Sequence, residues 1–233
     1  MYYFLAHTII LGTIWFILYL KRKDLRRGMV FASLIFLPFG LTHPLFIPYY
    51  YNPTLLHRFF GLFDVESFLW CFFIGGIASV LYKEVFKYTL HKPGAKLRSS
   101  GSSKTHKYII YILLILLASG MVGAYNLGLP VLRMSFVLVI PIVIYMIMAR
   151  HDLWRESVVS GFLITILYFL TLLSLQIFFP GYHEIAWTKD GLLGWRIIGF
   201  PIEEYCFSFL LGMMWSILYE EIGNLKIVRF IKH

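Results

Sequence analysis

Gly199–Glu221 reads GFPIEEYCFSFLLGMMWSILYEE. The run is apolar over enough length to form a membrane-spanning helix. It nevertheless carries two adjacent carboxylates, Glu203 and Glu204, about six residues inside Ile197, roughly 9 Å along the span at ~1.5 Å per residue. Ionised carboxylates in hydrocarbon cost ~2.5–3.5 kcal/mol even on lenient insertion scales. A chain that keeps two of them there is expected to use them.

A second version of this stretch lies upstream. Phe63–Glu84, FDVESFLWCFFIGGIASVLYKE, overlays Phe200–Glu221 without gaps. The overlay matches Phe63 with Phe200, Glu66 with Glu203, Gly75 with Gly212, and Leu81-Tyr82 with Leu218-Tyr219. Matched Phe and Leu residues mean little in apolar helices, whereas a matched intramembrane glutamate argues for an internal repeat.

The composition sets the class. Of 233 residues, 59% are hydrophobic and only 14% charged, with mean hydropathy +0.75. Soluble domains carry about a quarter charged residues, so an integral membrane protein is expected. The net charge of +9 does not point to nucleic acid, because the basic residues sit in short loops between apolar runs, where they orient a membrane protein. Cys71 and Cys206 both fall inside apolar spans, which argues against a structural disulfide. No metal-ligand spacing occurs, and without a GxGxxG motif there is no warrant for a Rossmann-bound flavin. No cofactor is expected.

Seven spans can be read in order: Tyr2–Leu20, Met29–Pro48, Val65–Tyr82, Tyr108–Tyr125, Met134–Ala149, Val158–Phe179 and Ile197–Tyr219. No basic residue precedes the first and five follow it, so it is expected to be a retained helix with its N-terminus outside. The second is interrupted by Pro38, Gly40 and His43-Pro44. Tyr49–Leu62 and Pro180–Arg196 read as interfacial loops, with Trp187 and Trp195 fitting an aromatic belt. Lys83–Lys107, with the run SSGSSK, reads as a basic cytoplasmic linker. On this count 17 Lys and Arg lie on the cytoplasmic side and 4 outside, which supports span number and orientation together. The expected fold is an all-α polytopic bundle of about seven helices. A first three-helix repeat (1–87) and a second, parallel one (131–233) are joined by a basic linker and connecting helix (88–130). Glu66 and Glu203 would then lie at similar depth near the outer leaflet, about a pseudo-twofold axis along the membrane normal.

Residues four and seven further along a helix share a face. Glu203 therefore lies above Phe207, Leu210 and Met214, and Glu66 above Trp70, Phe73 and Ile77. These rings are either a packing stripe or partners for a reaction passing through a carbocation, which a ring face stabilises by ~2 kcal/mol when desolvated. Burial and a neighbouring carboxyl raise a carboxyl pKa in general. The alternative for the acidic pair is a structural role, in a buried salt bridge or as helix N-terminal acids favoured by the dipole. His43 is a proton relay or, more simply, a hydrogen-bonded structural histidine. Asp64 stands where the second copy has Pro201 and reads as a helix cap.

The pattern Trp187…Gly194…Pro201-Ile202-Glu203-Glu204…Phe207 resembles the signature of the membrane-integral lycopene cyclases, including the paired small subunits and their fused form. The Tyr51-Asn52-Pro53 segment is similar to the family's aromatic-Asn-Pro run. The resemblance implies an intramolecular lyase or isomerase that forms an ionone ring on a linear carotenoid, by acid-base chemistry without net redox change. It implies Glu203 as acid or cation stabiliser, Glu204 as its partner and Glu66 as base or second acid. Asp64, Trp70, Trp187, Pro201 and Phe207 would surround the substrate. The first copy departs from the pattern, because Asp64-Val65-Glu66-Ser67 lacks both the proline and the second glutamate. Expected partners are lycopene or a similar polyene and the bilayer of a prokaryotic cell membrane, with a cytoplasmic C-terminus. A homodimer or association with other carotenoid-pathway enzymes is left open.

Three other classes compete. A rhodopsin needs a lysine in the last span, which has none. A CAAX-type protease motif continues to an arginine where this chain has Ser208. A carotenoid- or lipid-binding membrane protein or transporter that uses the carboxylates without chemistry is the alternative that stays.

Overall fold

The computed structural model describes residues 3–46, 58–59, 63–92, 104–187 and 193–229. The Tyr51-Asn52-Pro53 segment and most of the SSGSSK linker lie outside them. The described chain is mostly helical and forms an all-α bundle. Its helices are α1 (Tyr3–Lys21), α2 (Arg26–Phe36), α3 (Val65–Val85), α4 (Lys104–Asn126), α5 (Val131–Ala149), α6 (Trp154–Phe178), α7 (Tyr182–Ala186) and α8 (Ile202–Gly223). A 3-10 segment, Leu37–Leu45, extends α2. With it, six helices among the described residues are long and apolar enough to cross a membrane. The protein is a membrane protein. α8 matches them in length but carries Glu203 and Glu204 at one end and Glu220 and Glu221 at the other.

Local chemistry explains where the elements break. Pro38 has no N–H to continue the α-helical ladder, and the chain tightens there from α2 into the 3-10 segment. The last span starts later than its hydropathy suggests. Arg196–Ile197 (β4) and Phe200–Pro201 (β5) form a small antiparallel hairpin. Its turn, Ile198-Gly199, has positive φ at both residues (51° and 86°). α8 therefore begins at Ile202, after Pro201, and Glu203 and Glu204 lie in its first turn. Arg58–Phe59 (β1) and Phe63–Asp64 (β2) likewise pair antiparallel before α3.

Two arginine clamps close the opposite end. Arg22 grips Asp24 through Nε (3.0 Å) and Nη2 (2.8 Å), and donates to the Lys83 and Tyr88 carbonyls. Arg150 grips Asp152 through Nε and Nη2, both at 2.8 Å, and donates to the Glu220 and Leu225 carbonyls. Each clamp thus supplies a donor to a carbonyl in the last turn of a helix, Lys83 in α3 and Glu220 in α8. Beyond the clamps, Tyr88–His91 (β3) pairs antiparallel with Lys226–Arg229 (β6), with Leu90 opposite Ile227.

Lys83 departs from its reading as part of the basic linker. α3 continues to Val85, and Lys83 is only 1% exposed. Its Nζ lies 2.5 Å from carboxylate oxygens of both Glu156 and Glu220, and donates to the Ser79 and Ser216 carbonyls. A buried ammonium is tolerable only when paired and hydrogen-bonded in this way. The cluster ties α3, α6 and α8 together.

Close helix packing rests on matched small residues. A Cβ on Gly75 would fall 2.9 Å from Phe36 Cβ and 3.1 Å from the Ala32 carbonyl of α2. One on Gly212 would fall 2.8 Å from both Ile164 Cβ and the Ser160 carbonyl of α6. Both glycines bring a backbone against its neighbour.

Candidate functional site

The N-terminal ends of α3 and α8 face a cavity of about 160 Å³. Its walls are mostly apolar and rich in aromatic rings, among them Phe36, Trp70, Phe207 and Trp215. Phe36 stacks on Trp215 at 4.3 Å between ring centroids, and Trp70 meets the edge of Tyr168 at 6.2 Å. The polar lining includes Glu204, Ser67, His43, His7, Tyr168 and Trp187.

Glu204 is 5% exposed and is held at both oxygens. Trp187 Nε1 donates to Oε1 (2.9 Å) and the Tyr168 hydroxyl to Oε2 (2.8 Å). An indole N–H can only donate, so Oε1 is fixed as an acceptor. A phenol can donate or accept, which makes Oε2 the oxygen able to carry a proton. Trp187, read from sequence as a belt residue, is 2% exposed and packs edge-on to Phe200 at 5.4 Å. Behind it, Tyr182 donates to the Leu172 carbonyl (3.0 Å). Burial and then the Glu204 charge push the Tyr182 phenol up, so it stays a neutral donor.

Glu203 has a different setting. Its Oε1 accepts from the Leu193 backbone N–H at 2.5 Å, and it is absent from the cavity lining. Consecutive residues on a helix point about 100° apart, and of this pair it is Glu204 that lines the chamber. Pro201 is buried at the helix start and likewise does not line the cavity.

At the α3 corner, Asp64 caps the helix, its Oδ1 accepting from the Ser67 N–H (2.7 Å). Its Oδ2 lies 3.2 Å from His43 Nδ1, and the Ser67 hydroxyl lies 2.6 Å from the same nitrogen. The 3-10 segment reaches α3 closely here, because a Cβ on Gly40 would meet the Phe68 backbone at 2.9 Å. Glu66 is buried, at 4% exposed, but does not line the cavity.

Of the residues singled out from sequence, the cavity therefore brings together Glu204, His43, Trp70, Trp187 and Phe207. Asp64 stands one bond behind, and Glu66, Glu203 and Pro201 lie outside. Sequence reasoning passed over Tyr168, His7 and Ser67. His7 and His43 had one available signal, an ionisable ring inside an apolar span. Tyr168 had none.

Residues 130–222 match the family model described as Lycopene cyclase. Over this stretch the chain is similar to the membrane lycopene cyclase family. The matched region spans α5 to α8, and so includes Glu204 with its partners Tyr168 and Trp187. No curated protein and no solved structure matches the chain.

Proposed function

We propose that this protein is a lycopene cyclase that closes a six-membered ring at the end of a linear carotenoid such as lycopene. The observation that carries the reading is Glu204, a buried carboxyl held by two donors at the wall of an aromatic chamber. Protonated at Oε2, it adds its proton to the terminal double bond. The neutral carboxylic acid is the form that can donate. The resulting cation is desolvated, and the faces of Trp70, Phe207 and Trp215 stabilise it where water would quench it. Loss of a proton from the ring leaves an isomer of the substrate, so the reaction needs no redox partner.

The architecture proposed with this function is a pair of parallel repeats, α1–α3 and α5–α8, joined by α4. Support comes from the two arginine clamps, from Gly75 and Gly212 at matched contacts, and from Ser67 and Glu204, aligned residues that both reach the cavity. The loop charges support an N-terminus outside and the chamber toward the outer leaflet.

The test is expression in a host that accumulates lycopene, followed by pigment analysis. Cyclic product from the wild type and about 100-fold less, or lower still, from Glu204→Gln, with equal protein in the membrane, is the expected result. Unchanged lycopene that co-purifies with the wild type would instead favour the binding or transport alternative.

A further inference from the structure

The geometry points to His43 as the base that removes the ring proton, with Asp64 as its positioning residue. This rests on the cyclase reading above and assigns the second half of that reaction. His43 lines the cavity, and its ring stacks flat on Phe4 (5.2 Å, 4° between planes). Nδ1 is turned to Asp64 Oδ2 and the Ser67 hydroxyl. An ionised carboxylate only accepts, so the tautomer that fits carries its hydrogen on Nδ1 and keeps the lone pair on Nε2. A carboxylate behind a histidine fixes the ring's orientation and steadies the imidazolium it becomes, as in hydrolase triads.

The other histidine of the chamber lacks this support. His7 Nε2 lies 2.8 Å from Thr171 Oγ1, whose single proton goes to the Tyr168 carbonyl at 2.6 Å. His7 must therefore be the donor in that contact, and among the described residues no carboxylate pairs with it. A cation on His7 would be buried without compensation. Glu66 and Glu203, the other acids of these two helix starts, are absent from the cavity lining.

The proton inventory closes. Glu204 gives its Oε2 proton to the inner carbon of the terminal double bond, leaving a tertiary cation at the outer carbon, and the next double bond's electron pair forms the ring C–C bond to it. His43 Nε2 then takes a proton from the carbon beside the cation, and that C–H pair becomes the ring double bond. Glu204 is left as carboxylate and His43 as imidazolium. Proton exchange with solvent between turnovers restores both, with no electron gained or lost.

Three variants of the full chain, given lycopene as substrate in membranes, test this. Glu204→Gln should lower ring formation about 100-fold or more. His43→Gln should lower kcat about 100-fold or more, the usual contribution of general base catalysis. Asp64→Asn keeps an oxygen for the Ser67 N–H cap and should lower kcat about 10-fold or more with KM unchanged. Both should also raise the share of ring double-bond isomers, because a cation that waits for its base loses other neighbouring protons. If His43→Gln does not accumulate, Asp64→Asn decides alone. Unchanged turnover and isomer ratio in Asp64→Asn, or lower turnover with the ratio unmoved, overturns the assignment while the cyclase reading stands. Full activity in Glu204→Gln removes the cyclase reading itself.

Discussion

The first turns of α3 and α8 occupy aligned stretches and meet the same chamber, yet they bring different chemistry to it. At α8 the cavity-facing position is Glu204, supplied with donors by Tyr168 and Trp187. At α3 the aligned position is Ser67, whose hydroxyl meets a histidine that is itself held by Asp64. One backbone arrangement thus presents an acid at one wall and a carboxylate-backed imidazole at the other. A reaction that adds one proton and removes another can use unlike walls better than like ones.

The same divergence appears at the opposite end of these helices. Lys83 and Glu220 are aligned residues, and here they meet as an ion pair. The Lys83 ammonium also bonds the carbonyls of Ser79 and Ser216, another aligned pair. A like pair at these positions would repel, whereas Lys with Glu ties the two halves together.

The largest expected effect is on turnover. Glu204→Gln should cost about 10²–10⁴-fold or more, whereas Glu203→Gln keeps an oxygen for the Leu193 N–H and should cost less than about 10-fold. Pigment yield per unit of membrane protein measures both. Equal losses in the two variants would break the distinction between the neighbours. Next, Lys83→Met leaves Glu156 and Glu220 buried without their cation. It should destabilise the protein by about 3–5 kcal/mol, read as thermal unfolding in detergent. Smallest is the contrast between the helix contacts. Gly212→Ala meets backbone atoms of α6 and should cost about 1–3 kcal/mol. Gly75→Ala meets a single backbone atom of α2, the Ala32 carbonyl at 3.1 Å, beside Phe36 Cβ at 2.9 Å, and should cost less, so equal losses would show the two packings to be equally rigid.

Much of this was legible beforehand. Hydropathy and length reveal six spans within a few residues, because a helix that satisfies its own backbone in lipid needs an unbroken apolar run. The Glu-Glu pair was legible as unusual for the same reason. Which of the two faces the chamber was not, since that depends on where α8 begins. The β4–β5 hairpin and Pro201 set that start, and no hydropathy profile registers them. Lys83 was misplaced because a lysine at the end of an apolar run normally marks the boundary with water. Its partners Glu156 and Glu220 are distant in sequence.

Composition and periodicity by themselves determined a polytopic helical membrane protein with two related stretches and costly acids near helix starts. These follow from the price of polar groups in hydrocarbon, which acts on each segment separately. Only the tertiary structure decided that Glu204 and not Glu203 borders the cavity, that Trp187 turns inward, and that His43 stands against Asp64. Those outcomes depend on contacts between segments far apart along the chain.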